Sequence, residues 1–236
     1  PTEPSVAIPR ERIIGLTDRM APDGRLEWTA PEGGDWILAR YGYTPTGKNN
    51  HPAPPEATGP EVDKMSREAA DAFWVGGVQP LLEAAGTLAG RSWKHLLIDS
   101  YEVGSQNWTP RFREEFRRRR GYDLLRLLPV LSNRVVESPE VTERFLWDLR
   151  RTIADLFTDN YARHMAELAH KHGMKLWVEP YGNSPSDDLD YAAPSDVPMS
   201  EFWIDKGLDG CTKLAASIAH TNGQKVVAAE SFTAGE

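Results

Sequence analysis

The chain has 236 residues, of which 40% are hydrophobic and 26% charged, a balance typical of a globular protein rather than a disordered segment. Its formal net charge of −8 argues against a general nucleic-acid binder, because binding to phosphates needs a net basic surface. The single cysteine, Cys211, excludes an intramolecular disulfide and a multi-cysteine zinc site. No apolar stretch approaches the roughly 20 residues of a membrane-spanning helix, so we expect no membrane partner.

The first 45 residues alternate apolar and polar positions between turn dipeptides. Asp23-Gly24 and Gly33-Gly34 separate the runs IIGLTDRM, RLEWTA and DWILARYGYT, a spacing that predicts hairpins. We interpret residues 1–45 as a β-rich segment, the end of an upstream module. Because the chain starts and stops abruptly, we expect a fragment whose partner is the remainder of a longer parent chain, and its location stays open.

A proline-rich stretch, TPTGKNNHPAPPEATGPEVD, follows this segment. Its prolines exclude both a helix and a central strand. The stretch is either a linker or part of a binding surface. Polar residues among the prolines favour the binding surface, with His51 as a candidate substrate contact. We place the start of a second domain, residues 46–236, at this stretch.

Three segments of this domain have helical periodicity. Ser66 is a candidate N-cap for the first. The second is the basic run RFREEFRRRR, which we interpret as a solvated helix face because Phe112 and Phe116 interrupt it at helical spacing. The longest amphipathic run is predicted to begin at Ser138 and Pro139 and to end at Gly173.

Four short apolar strands alternate with these helices, and each runs into a glutamate. The runs are KHLLIDSYE, MKLWVEPYG, VPMSEFW and KVVAAESFT, which lead to Glu102, Glu179, Glu201 and Glu230. Alternating strands and helices predict an α/β fold with parallel βα units. We count about four units and expect a partial (β/α)8 TIM-like barrel, in which catalytic side chains lie at the carboxyl ends of the strands.

A ring of carboxyl groups is what glycoside hydrolysis requires. One carboxyl donates a proton to the leaving oxygen, and another activates water or attacks the sugar. A single strand-end glutamate is more often an ion-pair or capping residue, but one active site explains four at once. Glu230 leaves a thoroughly apolar strand, and burial there would raise its pKa as an acid or base role requires.

Polar and aromatic residues near these acids are candidate sugar contacts. Asn107 and Trp108 follow Glu102 in a loop, where an indole can stack on the apolar face of a sugar. Glu179 could accept a bond from a sugar hydroxyl, with Tyr181 as a second stacking ring. Trp203 lies two residues after Glu201, so the two side chains would share one face of a strand.

Long segments of the sequence resemble glycoside hydrolase family 106, the α-L-rhamnosidases. The resemblance extends from about Trp36 to Glu230 and is carried by four runs, YGYTPTGKNNHPAPPEATGPEVDKMS, DSYEVGSQNWTPRFREEFRRRRGYD, SPEVTERFLWDLRRTIADLF and SDVPMSEFW. It implies a large multidomain enzyme with a central barrel. It further implies hydrolysis of terminal α-linked L-rhamnose with inversion, and dependence on calcium.

The resemblance also implies roles for three residues. Glu102 would be the general acid and Glu230 the base, with Glu201 as a third active-site carboxylate. Glu201 is either an alternative base or a group that holds the metal and the sugar, and the choice of base stays open. No further metal ligand is predicted.

Two other functions remain open at this point. One is a retaining glycosidase of the β-galactosidase type, with Glu230 as nucleophile and its two carboxyls roughly 5 Å apart instead of roughly 6.5–9.5 Å. The other is a non-catalytic carbohydrate-binding fragment that relies on Trp108, Tyr181 and Trp203.

Overall fold

The computed structural model describes residues 7–51, 53–181, 184–204 and 211–233 as an α/β protein. Four parallel strands form one sheet in the order β1-β2-β3-β4. Parallel neighbours need long crossover connections, and helices occupy all three of them. The strands are β1 His95–Ile98, β2 Lys175–Val178, β3 Val197–Trp203 and β4 Ala228–Thr233.

Seven α-helices lie in the described part of the chain. They are α1 Arg67–Phe73, α2 Gln79–Ala85, α3 Phe112–Arg120, α4 Pro139–Leu156, α5 Arg163–Lys171, α6 Asp188–Ala192 and α7 Cys211–Thr221. Two π-helical segments, Trp74–Val78 and Phe157–Ala162, join α1 to α2 and α4 to α5. None of the described helices combines the length and apolar character that crossing a membrane requires.

The chain divides into two compact units that do not follow the sequence in order. The first unit joins Pro1–Thr44 to Phe112–Thr152, and the second joins Pro45–Arg111 to Ile153–Glu236. The sheet lies entirely in the second unit. One division falls beside the boundary expected near residue 45, but Phe112–Thr152, which lies between β1 and β2 in the sequence, belongs to the first unit.

In the first unit, residues 7–44 form turns and isolated bridges where a β-rich segment was expected. The structure has no strand within these residues; Met20 pairs with Leu26 in a single antiparallel bridge, and Ile8 pairs with Val136. The run around Ile37 and Leu38 is extended but exposed, at 74% and 64% of the full side-chain surface. Alternation alone therefore did not produce a ladder, because among residues 7–51, 53–181, 184–204 and 211–233 no strand pairs with this run.

The basic run forms helix α3, as predicted. Phe112 and Phe116 are fully buried, while the arginines carry ion pairs on the other side. Arg113 holds Asp123 through two guanidinium nitrogens, at 2.6 Å for the shortest contact. The fork geometry fixes the turn after α3, and Phe116 packs edge-on to Tyr122 at 5.0 Å.

The predicted helix boundaries are confirmed. Val141 donates its backbone N–H to the Ser138 hydroxyl ahead of α4, and α5 ends before Gly173, whose φ of +67° favours glycine. Ser66 caps α1 by accepting the N–H of Ala69.

The sheet presents two faces of different character. Leu176 and Val178 of β2 are completely buried on the face against α5. The alternate residue Trp177 therefore points to the opposite face, as does the position of Glu179. That opposite face is where the acids gather.

Candidate active site

The strand register aligns two glutamates on β3 and β4. Glu201 is the direct partner of Glu230 in the parallel ladder. Paired residues of neighbouring parallel strands project on the same side, with strands roughly 4.8 Å apart. The sequence placed both glutamates at strand ends, but they lie within strands: Glu201 is the fifth of the seven residues of β3, and Glu230 the third of the six residues of β4.

Two further acids follow the other strands at one common level. Ile98 of β1 pairs with Val178 of β2, so the next residues, Asp99 and Glu179, leave the sheet together. The backbone N–H of Glu179 donates to the Ile98 carbonyl at 2.9 Å. Carboxylate oxygens of Asp99, Glu179 and Glu230 lie within 4.8 Å of one another. The residues directly after β1 and β2 thus form one acidic cluster with Glu230 of β4.

Glu179 is the buried member of this cluster, with 1% of its surface exposed. Burial is the largest cause that raises its pKa to about 8, followed by its hydrogen bond to Asp99; the charges of Asp99 and Glu230 act in the same direction. Its Oε2 accepts the backbone N–H of Ser100 at 3.2 Å. At neutral pH this carboxyl is predominantly protonated, while it stays within reach of its acidic neighbours.

Tyr181 links the buried Glu179 to Glu201 of β3. Its hydroxyl lies 2.9 Å from Glu179 Oε1 and 2.8 Å from Glu201 Oε2. Burial and the hydrogen bonds to Glu201 and Glu179 raise the pKa of Tyr181, so the phenol keeps its proton. Asp99, Glu179, Tyr181, Glu201 and Glu230 therefore form one hydrogen-bonded or contacting set. A stacking role for Tyr181 stays a prediction, since its hydroxyl is engaged by the acids.

Glu102 lies in the loop after β1, four residues beyond the end of the strand. Strand β1 ends early because the Ser100 N–H turns to the Asp99 and Glu179 carboxylates instead of continuing the ladder. Glu102 is exposed, whereas its neighbours Tyr101 and Val103 are buried. The loop therefore projects this carboxyl outward from a backbone anchored on both sides.

The remaining predicted sugar contacts lie on three separate elements. Asn107 is exposed and Trp108 half-buried in the loop that carries Glu102, and Trp203 is half-buried at the end of β3. His51 is exposed in the proline-rich loop. Asn50 closes that loop, since its side chain donates to the Ala57 carbonyl at 3.1 Å and accepts the Gly59 N–H at 2.9 Å.

A bulge follows the paired glutamates. Glu201 opposes Glu230, but Trp203 opposes Thr233, so β4 contains one more residue than β3 over this interval. Phe232 occupies the bulge with a φ of +62°, a conformation that is rare for an aromatic residue, and its ring contacts Phe202 at 5.0 Å. Bulges next to active sites re-aim the side chains around them.

Asp99 is the cluster member that the sequence argument did not select. The signal was present, because Asp99 follows the apolar run HLLI at the same offset at which Glu179 follows KLWV. The more distant Glu102 was selected for this strand instead of Asp99. Glu201, the only metal candidate from the sequence, lies outside the three-acid cluster and connects to it through Tyr181.

The cluster has the donor chemistry of a site for a hard cation. Calcium binds carboxylate oxygens at roughly 2.3–2.6 Å, so two ligands of one ion can be nearly 5 Å apart. The 4.8 Å span of the oxygens of Asp99, Glu179 and Glu230 falls within that limit. Histidine and cysteine are absent from this group, which favours calcium or magnesium over zinc.

A parallel α/β sheet with carboxyl groups converging at one edge is typical of a glycoside hydrolase. The chain belongs to glycoside hydrolase family 106: the model of that family, described as alpha-L-rhamnosidase, matches residues 1–236.

The chain is also similar to two longer proteins. The chain is 50% identical over 227 residues to a Formosa agariphila protein named "Putative beta-glucuronidase", covering 96% of this chain and 19% of that protein. It is 38% identical to a rhamnosidase from Novosphingobium sp. PP1Y of known structure, with a TM-score of 0.79, covering 94% of this chain and 22% of that one. The chain thus spans about a fifth of the length of these relatives.

Proposed function

We propose that this chain is part of the catalytic domain of an α-L-rhamnosidase that removes terminal α-linked L-rhamnose with inversion. The observation that carries the proposal is the convergence of Asp99 and Glu179, which directly follow β1 and β2, with Glu230 of β4. Membership of family 106 supports the substrate class. In the full-length protein, the four strands would belong to a (β/α)8 barrel, with the remaining strands supplied by the rest of the chain.

Glu102 is the proposed general acid. Its carboxyl is exposed, on a loop at the same end of the sheet as the cluster, which suits a group that must reach the glycosidic oxygen. Protonation of that oxygen lets the aglycone leave as an alcohol while the bond to the sugar breaks. The buried flanking residues Tyr101 and Val103 keep the loop backbone in place.

Glu230 is the proposed base, and it takes a proton from the water that attacks the opposite face of the sugar. It is exposed, so a water molecule can approach it. Its ladder partner Glu201 is the alternative base, held in orientation by the Tyr181 hydroxyl. A carboxylate that ligates a cation loses basicity, so calcium contact at Glu230 would transfer the base role to Glu201.

Calcium is the proposed cofactor, and Asp99 and Glu179 would hold it, with Glu230 at the border of the site. When bound, the ion would supply positive charge to the hydroxyl oxygens of the sugar. Calcium takes six to eight oxygen ligands, and the three acids leave positions for vicinal hydroxyls. Asp99 and Glu179 would hold the ion in place, and its positive charge would offset the repulsion among the three acids.

A neutral deoxysugar fits this cluster better than a uronic acid. A uronate would bring a further negative charge next to Asp99, Glu201 and Glu230, and like charges at close range are unfavourable. The relative named as a beta-glucuronidase is nevertheless 50% identical, so glucuronides belong in the substrate panel.

The test is product analysis with the full-length protein. We expect release of L-rhamnose from α-L-rhamnosides, and the first product seen by NMR should be the β-anomer. An α-anomer as first product would establish retention and the β-galactosidase-type mechanism. Sugar binding without any turnover would establish a carbohydrate-binding protein instead. Release of glucuronic acid in preference to rhamnose would overturn the substrate assignment.

A further inference from the structure

The loop that carries Glu102 is fastened to the segment 61–65, which precedes helix α1. The fastening residue is Gln106, which is 8% exposed. Its Oε1 accepts the backbone N–H of Lys64 at 3.1 Å, and its Nε2 donates to the Val62 carbonyl at 2.9 Å. The side-chain amide of Gln106 therefore forms hydrogen bonds with both a backbone N–H and a backbone carbonyl of this segment.

Lys64 extends the fastening to the other end of the same loop. Its ammonium group lies 5.1 Å from the centroid of the Tyr101 ring and 5.1 Å from that of Tyr161. It forms a buried ion pair with Glu61, and both side chains are about one-tenth exposed. A desolvated cation above the face of an aromatic ring is attracted by the ring's quadrupole. Tyr101 is the residue directly before Glu102.

The two anchors bracket the exposed acid. Tyr101 contacts Lys64 on one side of Glu102, and Gln106 binds the backbone of the same lysine on the other. Both Tyr101 and Gln106 are buried, and the carboxyl between them faces solvent. The backbone of residues 101–106 is thus tied at both ends to one short segment.

We infer that Gln106 is a positioning residue for Glu102: through segment 61–65 it sets where the acid carboxyl stands relative to the leaving oxygen. The inference rests on the proposed acid role of Glu102. An amide is required, because Leu offers neither bond and Glu offers only acceptors. Misplacement of a catalytic group by about 1 Å costs on the order of 100-fold in rate.

The test uses the full-length protein and four substitutions. Gln106→Leu removes both hydrogen bonds with little change in volume, and Gln106→Glu keeps the acceptor alone. Gln224→Leu is the matched control, because Gln224 likewise donates its side-chain amide to a backbone carbonyl, that of Ser195, at the opposite ends of the strands. Each variant is assayed on a rhamnoside with a poor leaving group and on an activated aryl rhamnoside, with Glu102→Gln as the reference.

Leaving-group dependence distinguishes positioning from general destabilisation. For Gln106→Leu we expect kcat/KM to fall about 10- to 100-fold on the poor leaving group and less than about 3-fold on the activated one, with a smaller effect in the same sense for Gln106→Glu. Gln224→Leu should change kcat/KM by the same factor on both substrates. If Gln106→Leu does not fold, the inference is tested by Gln106→Glu, through the ratio of its kcat/KM losses on the poor and the activated leaving group.

Two outcomes contradict the inference, and they are distinguishable. If Glu102→Gln is selective for the poor leaving group but the Gln106 variants lose equally on both substrates, Gln106 has no positioning role and the acid assignment stands. If Glu102→Gln itself loses equally on both substrates, the acid assignment fails and the inference fails with it.

Discussion

Replacement of Glu179 by glutamine should remove a specific pH dependence from the stability of the protein. The pKa of this buried carboxyl is raised from 4.5 to about 8 in the folded state, chiefly by burial. Glutamine resembles the protonated form, since its oxygen can accept the Ser100 N–H and its amide can donate to Asp99 or Tyr181. The variant therefore keeps the local contacts and loses only the titration.

The sign and size follow from linkage. A carboxyl with a raised pKa in the folded state contributes stability that is fully present below pH 4.5 and is lost as the pH rises through about 8. One pKa unit corresponds to about 1.36 kcal/mol, so the total loss is at most about 5 kcal/mol. Between pH 5 and 8, the wild-type protein should therefore lose several kcal/mol of unfolding free energy relative to Glu179→Gln.

The assay is urea unfolding across this pH range in the presence of a chelator, because a bound cation would stabilise the ionised form. The quantity of interest is the difference in unfolding free energy between wild type and variant, in which titrating groups remote from Glu179 cancel. Glu102→Gln, the same exchange at an exposed position of the neighbouring loop, is the control. A wild-type minus variant difference that changes by less than about 1 kcal/mol from pH 5 to 8.5 would refute the reasoning.

Three further predictions concern activity in the full-length protein. Glu102→Gln should lower turnover roughly 100- to 10,000-fold on poor leaving groups and far less on activated aryl rhamnosides, as measured by kcat on the two substrate types; equal losses would remove it from the acid role. Chelation should abolish activity, and calcium rather than zinc should restore it; full activity after exhaustive chelation would falsify the calcium assignment. Glu230→Ala should collapse turnover on both substrate types with substrate binding nearly intact, whereas Glu201→Ala should weaken binding together with rate. Azide should rescue Glu230→Ala with a β-configured product, and an α-configured adduct would contradict inversion.

The sequence predicted helices and strands where local signals agree with burial. The cap at Ser66, the buried pair Phe112 and Phe116 in a basic helix, and the start of α4 after Ser138 depend on contacts within a few residues. The local sequence is sufficient to predict such contacts. The alternation around Ile37 predicted a strand that is not formed. A strand needs a hydrogen-bonding partner, and a local pattern does not show whether one is present.

The candidate site was predictable in its chemistry but not in its grouping. Glu179 and Glu230 were visible at the ends of apolar runs, but their contact with Asp99 depends on the register of β1 with β2 and of β3 with β4. The hydroxyl bridge from Tyr181 to Glu201 spans 20 residues. Residues so far apart in the sequence come into contact only in the folded sheet. The sequence therefore identified candidate acids but not which of them are in contact.

The interleaving of the two compact units has a consequence for synthesis on the ribosome. The segment that ends at Thr44 belongs with Phe112–Thr152, so it must wait for that later segment to emerge before its unit can be completed. During this interval β1 has already been made, but β2 has not. A truncation at residue 45 would therefore leave Phe112–Thr152 without the rest of its unit and would remove Ile8, the bridge partner of Val136. Expression trials should retain both segments or remove both.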